Sequence, residues 1–98
     1  MKIDISNEDK KILLSILNKH FSNYKVWCFG SRVKGNAIKT SDIDIVILSN
    51  SVIDFSLMGQ VKEELSESKI SIKVDLLDWS LVSDEFKKII MSNYIELF

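Results

Sequence analysis

The stretch from Gly30 to Asp44 reads Gly-Ser-Arg-Val-Lys-Gly-Asn-Ala-Ile-Lys-Thr-Ser-Asp-Ile-Asp and runs straight into Ile45-Val46-Ile47-Leu48. It constrains the fold more than any other segment. Residues 43 to 48 are apolar except for Asp44, the pattern of a strand covered on both faces. Val26-Trp27-Cys28-Phe29 is a second short apolar run, and it stops at Gly30. A strand, a polar turn of about a dozen residues and a buried strand must therefore follow one another in space. Ten residues separate the Gly30-Ser31 turn from the Asp42-x-Asp44 pair. A small polar turn can hold phosphates, and two carboxylates two residues apart can hold a divalent metal. Together they imply chemistry on a nucleoside triphosphate.

The chain has 98 residues, which supports one domain, 1–98, with a modest core. Thirteen basic residues against fourteen acidic ones give a net charge of −1, so direct nucleic-acid binding and a membrane surface are not expected. The single cysteine, Cys28, excludes an internal disulfide and fits a reducing cytoplasm. Met-Lys-Ile-Asp-Ile-Ser lacks the apolar core of a signal peptide, and no apolar run approaches the roughly 20 residues that span a bilayer. A cytoplasmic location is the expectation. Proline is absent, and two of the three glycines, Gly30 and Gly35, fall inside the opening stretch, where positive φ or close backbone approach gives glycine its use.

Periodicity predicts the other elements. Ser6 followed by Asp9 resembles a capping box with Asp in place of Glu, and Ile12, Leu13, Ile16, Leu17 and Phe21 recur at helical spacing to about Ser22. Residues 31 to 41 predict a turn with a short helical piece. Asp54 to Glu67 predicts a helix with Phe55, Met58, Val61 and Leu65 on one stripe. Ile70 to Leu77 predicts a third strand. Ser83 to Phe98 predicts a last helix, capped by Ser83, with Phe86, Ile89, Ile90 and Ile95 apolar. The order α-β-turn-β-α-β-α predicts a small mixed α/β (α+β) domain, helices packed on a mixed sheet.

Asp42 and Asp44 stand at the mouth of the second strand. Positions two apart project from the same face, so their carboxylates can converge while Ile43 points into the core. Mg²⁺ takes such hard oxygen ligands and leaves room for substrate phosphates. Asp75 is the preferred third carboxylate, since a charge between Val74 and Leu76 in a buried strand would be costly without a specific role. Asp78 competes, but a cap or turn at the strand end accounts for it. Gly30 allows backbone approach to a ligand, Ser31 offers a hydroxyl and an N–H, and a helix start there would add an anion site. Arg32, Lys34 and Lys39 can add charge against a triphosphate. Each of these features alone is more often a surface turn, a cap or a solvated charge; the joint pattern is far more specific. His20 fits the end of the first helix, Cys28 the core, and Trp79 packing.

Gly30-Ser31, ten residues, Asp42-x-Asp44 and a later strand aspartate resemble the DNA polymerase β-like nucleotidyltransferase superfamily. The wording Gly-Ser-Arg…Gly…Ser-Asp-Ile-Asp is similar to its minimal, MNT-type branch. The resemblance covers most of the chain, from the first helix through Val74-Asp75-Leu76-Leu77 to the last. It implies a polymerase β-like fold and transfer of a nucleoside monophosphate from a triphosphate such as ATP. It further implies that Asp42, Asp44 and Asp75 bind two Mg²⁺, with Asp75 completing the triad, and that Gly30 and Ser31, with Arg32 beside them, hold the nucleotide. Lys39-Thr40 departs from the Pro-Asp found in many relatives, which alters loop stiffness and spares the ligand positions.

Larger relatives carry a further acceptor-binding domain, for which 98 residues leave no room. The acceptor is then expected on a partner or a second subunit, in a homodimer or hetero-oligomer. Minimal members resemble antitoxins of helical HEPN-type toxins, some of which they adenylylate on tyrosine. The expected function is AMP transfer from ATP to a hydroxyl on such a partner. A non-catalytic antitoxin that masks its toxin by contact, and transfer to a small molecule, are the alternatives. Retention of Gly-Ser and all three aspartates favours catalysis. Met91, Tyr94, Leu97 and Phe98 of the last helix are candidates for a partner interface or for simple core packing.

Overall fold

In the computed structural model, which describes residues 3 to 98, the element order is α1 (Asn7–Phe21), β1 (Lys25–Phe29), α2 (Ser31–Lys34), β2 (Ile43–Leu48), α3 (Phe55–Glu67), β3 (Val74–Asp78), α4 (Asp84–Ser92) and β4 (Tyr94–Glu96), with a 3₁₀ turn at Trp79–Leu81. The four strands form one mixed sheet in the order β3-β2-β1-β4. β1 runs antiparallel to β2 and β4, and β2 runs parallel to β3, with α3 in the crossover. Among the described residues no helix is long and apolar enough to cross a membrane.

Two cores sandwich the sheet. Ile43, Ile45 and Ile47 of β2 and Val26 and Cys28 of β1 face α1 and α3, joining Leu13, Leu17, Phe21, Val61 and Leu65 in the larger one. Phe29 and Val46 face the other way and meet Ile90 of α4, with Trp27, Leu77 and Trp79 packed at the margin. The apolar character of β2 on both faces follows from this, and Asp44 is the exception that marks an opening in the second layer. Cys28 is fully buried, and burial pushes its thiol up to about 12, which makes it a packing residue and not a nucleophile.

Local signals place the elements well. Ser6 caps α1 by accepting from the Asp9 N–H at 3.1 Å, Asp54 caps α3 by accepting from the Ser56 N–H, and Ser83 caps α4 by accepting from the Phe86 N–H. Asp9 does not close the expected box. Its buried carboxylate crosses to the segment ahead of β3, accepting from the Ser71 N–H at 2.9 Å and the Ser71 hydroxyl at 2.5 Å. Ile70 and Ile72, predicted to be in the third strand, pack against the core instead, and the ladder starts only at Val74. The predicted last helix also ends early. α4 stops at Ser92, Asn93 is extended, and Tyr94–Glu96 pairs with β1, continued by the Leu97 N–H to the Val26 carbonyl at 2.7 Å. An open strand edge and two strand-forming residues, Tyr94 and Ile95, outweigh the helical periodicity there.

Asp78 is the buried acid of the third strand. It accepts from the Ser49 hydroxyl, the Ile53 N–H and both the N–H and hydroxyl of Ser80. Burial pushes its pKa up, but these four donors outweigh burial and hold it below the ordinary value. It thereby ties the end of β2 to the start of α3 and to the 3₁₀ turn. This is the capping role expected of it.

Asp9 should behave as a structural acid. Its pKa is held down first by the Ser71 hydroxyl and then by the Ser71 N–H, so the stability it contributes is present above the unfolded pKa and lost as pH falls through the folded one. Asp9→Ala should cost about 1–3 kcal/mol at neutral pH, a Tm loss on the order of 5–15 °C. Thermal scans should show that gap narrowing only below about pH 4.

Candidate active site

The site is built where three strands end side by side. Asp44 is the second residue of β2, with Phe29 of β1 as its register partner on one side and Asp75 of β3 on the other. Laterally paired residues share a face, so both carboxylates project from the α4 side of the sheet. They line a cleft of about 350 Å³ with Gly30, Lys34, Phe86, Ile89 and Asn93. Asp42 lies just ahead of the strand, two residues from Asp44. It is outside the cleft lining, yet its charge is felt at Asp44.

Asp44 is the electrostatic centre. Half-burial raises its pKa, and the neighbouring charges of Asp75 and then Asp42 raise it further. Among the described residues, none of the ion pairs involves any of the three aspartates. Converging carboxylates without a cation form a set suited to hard divalent metal. No three His, Cys, Asp or Glu side chains among the described residues stand close enough to make a ready cage. Mg²⁺ does not require one, because it binds through one or two carboxylates and completes its shell with water and phosphate. The donors present therefore fit Mg²⁺.

Gly30 is fixed by two independent constraints. Its φ of 84° and ψ of −160° belong to glycine, and a Cβ there would overlap Asp44 Oδ2. The backbone of the turn thus lies directly against the central carboxylate. Gly35, at φ 87°, ends α2 in the left-handed region and lets its N–H reach the Ser31 carbonyl. The helical piece is a single turn of four residues, too short to carry the dipole of a longer helix. Any phosphate holding here falls to individual groups: the first amides of the turn, which have no intrahelical partner, and the Ser31 hydroxyl.

Two expectations need correction. Arg32 was expected to face the nucleotide, but its guanidinium is buried and committed to backbone. Nε and Nη2 donate to the Ser41 carbonyl at 2.9 and 2.7 Å, Nη1 to Asp4 at 2.8 Å and Nη2 also to Lys39 at 3.3 Å. It holds the loop leading to Asp42 and does not reach into the cleft. The run around Asp75 predicts a buried acid, and Asp75 is exposed because β3 is an edge strand. Register, not burial, puts it beside Asp44.

The cleft walls Phe86, Ile89 and Asn93 were not singled out as site residues. Their only sequence signal is that α4 is more apolar than its one fully buried residue, Ile90, requires. Ile89 remains 52% exposed and Phe86 37%. Lys34, considered from sequence as one cation among three, is the one that lines the cleft.

Comparison with known proteins places this geometry in a family. The model of the family described as "Polymerase beta, Nucleotidyltransferase" matches residues 10–98. The chain is 44% identical over 94 residues, 96% of its own length and 82% of the relative's, to a protein of Haemophilus influenzae named probable protein adenylyltransferase MntA. Its fold matches a crystal structure of a toxin–antitoxin with AMP-PNP at a TM-score of 0.76 and 22% identity, covering 91% of this chain and 72% of that one. It also matches, at a TM-score of 0.69 and 20% identity over 93% of this chain and 70% of the other, a structure of tri-AMPylated Shewanella oneidensis HEPN toxin with MNT antitoxin. By the family model and the sequence identity together, this chain belongs to the polymerase β nucleotidyltransferase family.

Proposed function

We propose that this chain transfers AMP from ATP to a hydroxyl on a HEPN-type partner protein, and so acts as the antitoxin of a toxin–antitoxin pair. The observation that carries the reading is the lateral pairing of Asp44 with Asp75 directly over the Gly30 backbone. The kinship with a protein named as an adenylyltransferase, and the fold shared with a complex that contains an AMPylated toxin, support the choice of AMP and of a protein acceptor.

The sheet order sets out the chemistry. β1 and its Gly30-Ser31 turn flank Asp44 on one side, and β3 with Asp75 flanks it on the other. Phosphoryl and nucleotidyl transfer need the attacking and leaving oxygens roughly in line through phosphorus. The pyrophosphate end of ATP then belongs on the Gly30, Ser31 and Lys34 side, where the Ser31 N–H and hydroxyl donate to phosphate oxygens and Lys34 Nζ supplies positive charge. The acceptor hydroxyl belongs on the Asp75 side, where that carboxylate takes its proton as it attacks the α-phosphorus. Asp42, Asp44 and Asp75 would hold two Mg²⁺, which when bound stabilise charge on the attacking and leaving oxygens. Phe86 and Ile89 give the cleft an apolar wall beside the carboxylates.

With a purified HEPN-type protein as acceptor, α-labelled ATP and Mg²⁺ should lead to labelling of that protein. Asp42→Asn, Asp44→Asn and Asp75→Asn should each lower that rate by about 10²-fold or more. No labelling by the wild-type chain, or full labelling by Asp44→Asn, would contradict the proposal. If the Asp42→Asn/Asp44→Asn double variant still neutralises the partner as well as wild type, protection rests on contact and not on AMP transfer.

A second prediction separates function from stability. Asp44 has a folded-state pKa above its unfolded value, so the ionised form opposes folding; stability is fullest below the unfolded pKa, about 3.9, and is lost as pH rises through the folded one. Asp44→Asn should therefore raise the Tm of the metal-free protein at pH 7 while removing activity. Solvent screening keeps the gain below about 1 kcal/mol. Scans at pH 4 should show the gain gone.

Gly30→Ala tests the turn. It forces both a positive φ on alanine and an overlap with Asp44, and it should cost about 1–3 kcal/mol. AMP transfer should fall more than tenfold at a temperature where circular dichroism shows the variant folded.

A further inference from the structure

Both edges of the sheet are open, and the β3 edge is unlike the β4 edge in what surrounds it. A groove of about 640 Å³ runs along β3, lined by Lys62, Lys73, Asp75 and Leu76 among others. A second hollow of about 380 Å³ continues it past the end of the strand, sharing Lys62 and Leu76 and adding Val52, Phe55 and Leu81. The active-site cleft shares Asp75 with the first and Leu77 with the second. These are one trench, with a cationic end at Lys73, an apolar end at Phe55, and the Asp75 carboxylate between them.

The apolar end is exposed well beyond what core packing needs. Phe55 is 89% exposed, Leu81 68% and Val52 64%. Contiguous apolar surface of this kind marks a binding face. The strand itself offers backbone. The Ile43 N–H donates to the Lys73 carbonyl at 2.9 Å, and Ile43 pairs with Val74, so residues 73, 75 and 77 serve β2. By the alternation of a parallel ladder, Val74 and Leu76 direct their N–H and C=O groups outward into the trench. An edge strand with free groups is a template for an added strand.

We propose that the trench is the acceptor dock: an extended segment of the partner protein, acidic and carrying an apolar side chain beside its hydroxyl residue, lies along β3 as a fifth strand. The inference rests on the AMP-transfer reading for its direction, since an in-line reaction brings the acceptor from the Asp75 side. The trench supplies three independent contacts for such a segment. Lys62 and Lys73 attract its acidic residues, Val52, Phe55 and Leu81 receive its apolar side chain, and the Val74 and Leu76 backbone groups fix its register. Register is what delivers the hydroxyl, because a slip of one residue would turn it to the opposite face. A five-residue strand spans about 16 Å, so a segment of similar length suffices.

The test uses the full chain carrying Asp44→Asn, to prevent turnover, and a purified HEPN-type protein that the wild-type chain binds. Phe55→Glu, and separately the Lys62→Glu/Lys73→Glu double change, alter exposed side chains and leave the core intact. Calorimetry should show partner Kd raised by about tenfold or more in each, with AMP-PNP affinity unchanged. Hydrogen exchange should show the peptide spanning residues 72–78 protected when the partner is added. Wild-type partner affinity in both variants, or unchanged exchange across 72–78, would overturn the dock. So would a homodimer in sedimentation that Phe55→Glu dissociates, since a second copy would then fill the trench. If the wild-type chain labels no partner but binding still responds to the trench variants, the AMP-transfer reading fails and the dock stands.

Discussion

The parallel pairing of β2 with β3 is the constraint on which the rest depends. It sets Asp44 and Asp75 side by side in register, on one face, at the end of the sheet where no helix covers them. Opposed like charges in a sheet are unfavourable, and among the described residues none of the ion pairs involves either member of this pair. Burial raises the Asp44 pKa most, and the charges of Asp75 and then Asp42 add to the rise. A fold selected for stability alone would place a lysine or an apolar residue there. Local conflict within an otherwise consistent fold is the expected mark of a site that awaits a cation and a substrate.

The surrounding structure is arranged to hold that conflict in place. The Arg32 guanidinium binds the carbonyls of residues 4, 39 and 41, so the loop delivering Asp42 is tied from within. Asp78 secures the far end of β2 and the entry to α3, and Asp9 secures the segment feeding β3. Asp9, Arg32 and Asp78, the buried charges among the described residues, are all hydrogen-bonded, and each braces a strand or loop that carries Asp42, Asp44 or Asp75. By contrast, none of the ion pairs among the described residues involves the partly buried Asp42 or the central Asp44. Positioning by satisfied neighbours is how an unsatisfied group can keep a fixed geometry.

Most of the fold was legible where local and tertiary signals agree. Ser6 and Ser83 cap their helices as sequence spacing predicts, and the apolar run at Ile43–Leu48 is the two-faced strand it resembles. Two of the failures share a cause, which is that edge position is not written in a strand's own residues. Asp75 was chosen for burial and is exposed because β3 is an edge. Tyr94–Glu96 was read as helix and became a strand because β1 had an unpaired side. Arg32 sits beside a phosphate-type turn and was assigned to it, yet three carbonyls distant in sequence claim its donors. The Asp42-x-Asp44 spacing and the Gly30-Ser31 turn were readable because both are local, whereas the α4 wall depends on how a distant helix lands.

The asymmetry of the two sheet faces then sets where the sheet is open. α1 and α3 seal one face completely, and the larger core there holds the fold. α4 covers the other face only around Phe29, Val46 and Ile90, and the 3₁₀ turn with Trp79 fills the margin. What remains open is the end of the sheet near Asp44 and the flank along β3. Those two openings meet at a single residue, Asp75, which is exposed for the same reason that β3 lacks a neighbour. Adding a fifth strand to this sheet would bury the trench, and it would bring the added strand's side chains within reach of the Asp75 carboxylate. The edge that makes the sheet incomplete as a structure is therefore also the side from which an acceptor can arrive.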